Sequence, residues 1–275
     1  MSQYNDKGIA LITGASSGIG ATYADRLAQR GYDLVLVARD APRLEHLSAR
    51  LRENTGATSE VLRADLTQKA DLARVEQRLR GDASITMLVN NAGVATSGPL
   101  VGGDLDAMEA MIHLNVVAVT RLAAAAAANF VACGTGVLIN LSSVLALAPE
   151  RFNASYCATK AYVLNFSLTL HQELSPSGVQ VQVVLPGATR TALWARAGIE
   201  AASLPASMLM EVDEMVDAAL VGLGRREVVT IPSLPDFADW EVYTAARLHL
   251  GPNLSRNHAA ERYKTVDGTR PSQAL

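Results

Sequence analysis

Seven short apolar runs recur along the chain: Ile9–Thr13, Leu34–Ala38, Ser59–Ala64, Thr86–Asn90, Gly136–Leu141, Gln180–Leu185 and Val228–Ile231. Stretches such as "DLVLVA" (33–38) and "VQVVL" (181–185) are almost continuously apolar, the mark of strands buried on both faces of a parallel sheet. Between the runs lie segments with helical spacing: Ile19–Arg30, Pro42–Thr55, Gln68–Arg80, Asp104–Ala132, Ala154–Ser175 and Asp213–Gly224. Strand–helix alternation with right-handed crossovers predicts an α/β fold, a doubly wound parallel sheet of seven strands with helices on both faces. The 275 residues, 49% of them hydrophobic, suffice for one large core. No Pro/Ser-rich linker or charge block divides it, so residues 1–250 read as a single domain. A long connection at 189–212 lies inside that domain, and 251–275 reads as a polar C-terminal tail.

A net charge of −3 and a pI near 6.0 provide no basic field for nucleic acid or an acidic membrane. Two cysteines, Cys133 and Cys157, are too few for a disulfide framework and read as small buried residues in a reducing compartment. "MSQYNDKG" lacks the pattern of a signal peptide, and the apolar stretch Val116–Ala128 is short for a bilayer and broken by Thr120 and Arg121. The expectation is a soluble, cytoplasmic protein with no nucleic-acid or membrane partner. The histidines show no metal-ligand spacing with the cysteines, so no metal is expected.

"ALITGASSGIGATYADRLAQRG" (10–31) runs from a strand through a glycine-rich turn into a helix. Gly14, Gly18 and Gly20 permit a tight turn and let the backbone approach a pyrophosphate at the helix N-terminus, where free N–H groups favour anions. Strand before and helix after is the context that makes this a dinucleotide site. At the end of the second strand, Ala38 stands where an acid would bind the ribose 2′-hydroxyl of NAD, and Arg39 follows. A guanidinium suits the 2′-phosphate of NADP, so NADP(H) is the preferred cofactor and NAD(H) the alternative. Asp40, before "AP" and a helix, reads as an N-cap.

Hydride transfer to a carbonyl requires a proton donor, and the reverse reaction a base. Tyr156 and Lys160 are four apart on a helix and so share a face, where a cation would draw the phenol pKa toward neutrality. "LINLSSV" is a strand ending in two serines, where the Ser143 hydroxyl either binds a substrate oxygen or serves as a cap or turn residue. Asn115, in the apolar "MIHLNVVAV", is a buried amide that needs partners.

Together these pieces resemble the short-chain dehydrogenases/reductases, in their compact single-domain branch with a Rossmann-like fold. "TGASSGIG" (13–20) is similar to the cofactor motif of that family, "NNAG" (90–93) to its strand-four motif, "ADL" (64–66) to its adenine-contacting turn, "SYCATK" (155–160) to its Tyr-x-x-x-Lys segment and "PGATRT" (186–191) to its P-G-x-x-x-T stretch. The resemblance implies that Asn115, Ser143, Tyr156 and Lys160 are catalytic. Tyr156 would exchange the proton, Lys160 would tune it and bind the nicotinamide ribose, Ser143 would orient the substrate, and Asn115 would hold a relay water. It also implies cofactor contacts from Gly14, Ser16, Ser17, Gly18, Ile19, Gly20, Arg39, Asp65, Leu66, Asn91, Ala92, Gly93, Tyr156, Lys160, Pro186, Gly187, Thr189 and Thr191. Family members form homodimers or homotetramers through the two long helices.

Leu145, Phe152, Leu193 and Trp194 are expected in the substrate wall, which suits an apolar carbonyl or secondary alcohol better than a charged sugar. The reading is therefore an NADP(H)-dependent oxidoreductase. A non-catalytic dinucleotide sensor or scaffold on the same fold is the alternative.

Overall fold

The computed structural model describes residues 7–192 and 205–264. Seven parallel strands form one sheet: β1 (Ile9–Thr13), β2 (Asp33–Ala38), β3 (Ser59–Arg63), β4 (Ile85–Asn90), β5 (Gly136–Leu141), β6 (Val179–Val184) and β7 (Val229–Thr230), in the order β3-β2-β1-β4-β5-β6-β7. The expected strands all form, with ends shifted by a residue or two. The chain doubles back between β1 and β4, and in such sheets the crevice beyond the strand C-termini at that point receives ligands.

The helices are α1 (Gly18–Gln29), α2 (Ala41–Thr55), α3 (Lys69–Gly81), α4 (Leu105–Cys133), α5 (Ala154–Leu174) and α6 (Val212–Gly224). Each sheet face carries its own core. On one, Leu11, Leu88 and Leu138 pack with Val75 of α3 and Phe130 of α4. On the other, Ile12, Leu36 and Ile139 pack with Leu27 of α1, Leu47 of α2 and Val216 of α6. Asp40 caps α2 as expected, accepting from the Arg43 N–H at 3.1 Å.

Helix α4 is apolar and long enough to cross a bilayer by length and composition. Here it serves as a core helix: within the alanine run, Ala123, Ala125 and Ala126 are fully buried in the cluster that holds Leu72, Val75 and Leu79 of α3. Small side chains on that face let the two helices approach. Cys157 is buried, but Cys133 is exposed in the last turn of α4, contrary to the expectation for both cysteines. The middle of α4, His113–Ala118, is a π-helix. One-turn widenings of this kind often mark functional positions, and this one carries Asn115, which is 1% exposed.

By its contacts the chain divides into two compact units, 1–233 and 234–275, whereas the sequence reading extended one domain to 250. The second unit holds a helix the sequence reading did not assign, α7 (Ala238–His249), in which Trp240 lies 5.3 Å from Tyr243. Its polar faces conceal the helical period that a buried segment shows.

Candidate active site

The crevice at the switch point is built by lashing two strand ends together. The hydroxyl of Thr13, at the end of β1, accepts the N–H groups of Asn91 and Ala92, both at 3.0 Å. The Asn91 amide returns hydrogen bonds to the carbonyls of Thr13 at 2.8 Å and Gly14 at 3.3 Å. Gly14 can follow this path because its φ is +67°, a region costly for other residues, and a Cβ there would sit 2.8 Å from the Asn91 amide nitrogen. At Gly20 the constraint is space: a Cβ would lie 2.4 Å from the Gly14 carbonyl oxygen. The loop is thus held as a bare backbone cradle at the start of α1.

A cleft of about 690 Å³ extends from this cradle. Gly14, Ser16, Ser17, Gly18 and Ile19 line it, together with Arg39, Asp65 and Leu66. Asn91, Ala92 and Gly93 also line it, as do Pro186, Gly187, Thr189 and Thr191. Ser143, Leu145, Phe152, Tyr156 and Lys160 line the cleft as well. Two expected site residues stand behind the wall: Gly20 acts through the turn, and Asn115 through its hydrogen bonds. Leu193 and Trp194 lie outside the described residues.

Helix α5 delivers the reacting groups. Asn153 caps it, accepting from the Tyr156 N–H at 2.9 Å while its amide donates to the Thr96 carbonyl at 2.6 Å. One turn on, Lys160 reaches back under the tyrosine: its Nζ donates to the Leu141 carbonyl at 3.0 Å and lies 5.6 Å from the Tyr156 ring centre. Ser142, next to Ser143, donates to the Lys160 main-chain carbonyl at 2.7 Å. The Ser143 hydroxyl accepts from the Leu145 N–H at 3.2 Å, and Phe152 meets the Tyr156 ring edge-on at 5.5 Å. Asn115 accepts from Val94 N–H at 3.0 Å, and its amide donates to the Val94 carbonyl at 2.9 Å and to Thr159 Oγ1 at 3.2 Å.

Burial dominates the electrostatics of the pair. Burial pushes the Tyr156 phenol up to about 12, and the Ser143 hydrogen bond offsets only part of that rise. Burial lowers the Lys160 ammonium to about 8. Desolvation is the largest cause at both groups. Tyr156 is held protonated, the form that donates.

Thr13, Ser142, Asn153 and Thr159 went unassigned in the sequence. An asparagine just before a helical run is a legible N-cap signal. The other three are hydroxyls whose partners lie far along the chain or across the sheet.

A profile of the short chain dehydrogenases matches residues 8–201. The chain belongs to the short-chain dehydrogenase/reductase family. It is similar to a short-chain dehydrogenase from Sphingobium yanoikuyae solved in complex with NADPH, at 56% identity and a TM-score of 0.91 over 94% of this chain and all of that one. It is also similar to the bulky-bulky ketone specific alcohol dehydrogenase of Comamonas testosteroni, at 50% identity and a TM-score of 0.86 over 93% of this chain and 98% of that one. An uncharacterized oxidoreductase of Staphylococcus saprophyticus is 34% identical over 70% of this chain and 82% of its own length. Longer curated relatives are matched over 58–60% of their length. The seven-stranded parallel sheet is the one expected of a short-chain dehydrogenase/reductase, and the chain is an oxidoreductase of that family.

Proposed function

We propose that this short-chain dehydrogenase/reductase transfers a hydride between NADP(H) and a bulky apolar ketone or its secondary alcohol. The carrying observation is one cleft with an arginine-flanked glycine cradle along its wall and, in the same lining, a buried, protonated Tyr156 together with Ser143 and Lys160. The cradle suits a dinucleotide because glycine at 14 and 20 lets the turn close tightly against Asn91, where a Cβ at either position would meet neighbouring protein atoms, and leaves bare backbone at the start of α1. Bound NADPH supplies the hydride. Ser143 holds the substrate oxygen, and Tyr156 Oη gives it a proton as charge develops. The Lys160 ammonium and the Ser143 hydroxyl then stabilise the phenolate left behind. Asn115 positions Val94 and Thr159, and a relay water beside it completes the proton path.

Leu145, Phe152, Val94 and Met208 give the cleft its apolar wall. The substrate class named for the Comamonas relative supports a bulky ketone as the partner of that wall. The NADPH held by the Sphingobium relative supports the cofactor, in keeping with Arg39 after β2. The same reading takes the protein as soluble and cytoplasmic, assembling as a homodimer or homotetramer through the outer faces of α4 and α5, where Ile112, Val131 and Tyr162 are exposed.

Tyr156→Phe is expected to lower reduction of a bulky aryl ketone by roughly a thousandfold while NADPH affinity stays within about twofold. Retained turnover would overturn the mechanism. Wild-type protein that binds NADPH but turns over no member of a ketone panel would favour the sensor or scaffold instead.

A further inference from the structure

Beside Arg39 lies a second, smaller hollow of about 200 Å³, walled by Arg39, Arg63, Asp65, Asp71 and Arg74. It shares Arg39 and Asp65 with the main cleft, so the two spaces meet. Strand β3 runs in register beside β2 with Arg63 opposite Ala38, which brings the Arg63 side chain out next to Arg39. Its Nε donates to the Arg39 main-chain carbonyl at 3.3 Å, tying the two residues together.

The charges around the hollow are unevenly matched. Arg74 is paired with Asp71 at 2.8 Å and also donates to the Arg63 carbonyl at 3.0 Å. The other Asp71 oxygen accepts the Asp65 N–H at 2.8 Å. The Asp65 N–H and then Arg74 hold the Asp71 carboxyl below the usual carboxylate range, with Arg63 the least of the contributors, and both oxygens of that carboxyl are engaged by those two partners. Asp40 and Arg43 pair with one another at 3.2 Å. One Asp65 oxygen accepts both the N–H and the hydroxyl of Thr67. Among the described residues, neither Arg39 nor Arg63 has a carboxylate partner. Two arginines that line one hollow, the guanidinium of Arg63 bonded to the Arg39 main-chain carbonyl, match a dianion with several acceptor oxygens, the chemistry of a phosphate monoester.

The end of the second strand is where this class of fold places the adenosine ribose. We infer that Arg63 is a second guanidinium for the 2′-phosphate of NADP(H), acting beside Arg39, and so determines cofactor specificity. This rests on the NADP(H) reading above. A 2′-hydroxyl offers neither the charge nor the oxygens, so Arg63 contributes to NADP(H) affinity and not to that of NAD(H).

Calorimetric titration of the full chain with NADPH and with NADH tests the assignment in wild type, Arg39→Ala, Arg63→Ala and Arg63→Lys. Arg63→Ala is expected to weaken NADPH about tenfold or more and NADH by less than about twofold, with Arg63→Lys between it and wild type. An unchanged NADPH-to-NADH affinity ratio in Arg63→Ala, with the ratio collapsed in Arg39→Ala, overturns the role of Arg63 and leaves the cofactor reading standing. Equal weakening of both cofactors overturns it too, since that marks a structural residue. A ratio unmoved in both alanine variants removes the strand-two phosphate site altogether. If Arg63→Ala does not fold, Arg63→Lys and Arg63→Gln decide: the glutamine must lose NADPH preference and the lysine keep part of it.

Discussion

The Asn115 amide donates to the Thr159 hydroxyl at 3.2 Å, and that hydroxyl donates to the Tyr156 main-chain carbonyl at 2.8 Å. A single buried oxygen thus joins the π-helical turn of α4 to the helix that carries the proton donor. On its other side Asn115 grips Val94 in the cleft wall through two hydrogen bonds.

Thr159→Val keeps the shape and removes both bonds. An amide N–H left unpaired at a buried site costs about 1–3 kcal/mol, and part of that cost is relieved by a shift of Asn115 or Tyr156. The kcat is expected to fall about tenfold, with NADPH affinity within about twofold of wild type and the activity restored in Thr159→Ser. Steady-state kinetics across pH checks this. A valine variant with wild-type kcat, or a serine variant no better than the valine, would remove Thr159 from the positioning network.

Lys160 makes a prediction about stability. Its ammonium sits at about 8 in the fold against an ordinary value of 10.5. Between those values the unfolded chain binds the proton more tightly, so the stability of the fold rises with pH through that window. Below pH 8 the full cost of burying the charge is present, of order 3 kcal/mol. Urea unfolding of wild type and Lys160→Met at pH 7.5 and about 10 is expected to show the wild type gaining on the variant at the higher pH. Parallel behaviour of the two proteins would mean that the ammonium is not desolvated. Tyr156 has the opposite sign: its raised phenol adds stability below about 10 that is lost as pH climbs toward 12.

Tyr23, in α1, is fully buried, and its hydroxyl has no hydrogen-bond partner among the described residues. A buried hydroxyl without a partner is a net cost, so Tyr23→Phe is expected to stabilise the protein by about 1 kcal/mol without altering NADPH affinity. Denaturant unfolding measures it, and a loss of stability would show that the hydroxyl does find a partner.

Much of the fold is legible in the sequence because its signals are local. "DLVLVA" reads as a buried strand wherever it sits, and Asp40 caps α2 through a contact only three residues away. Tyr156 and Lys160 share a face because helical spacing makes them neighbours. The glycine loop likewise declares itself through its own strand, turn and helix. Helix α7 escaped because it presents no clear buried stripe, and Cys133 was misjudged because composition says nothing of which way a helix face turns.

What the chain alone determined, then, is the order of the strands and helices and the residue types that gather at their C-terminal ends. Tertiary structure decided the rest. It set the direction of the pKa shifts at Tyr156 and Lys160, because desolvation depends on everything packed around a group. It also paired Thr13 with Asn91, Ser142 with Lys160 and Thr159 with Asn115, across separations that no local pattern encodes. A hydroxyl carries no mark in sequence of the partner it will meet; only the folded sheet brings the two within hydrogen-bonding distance.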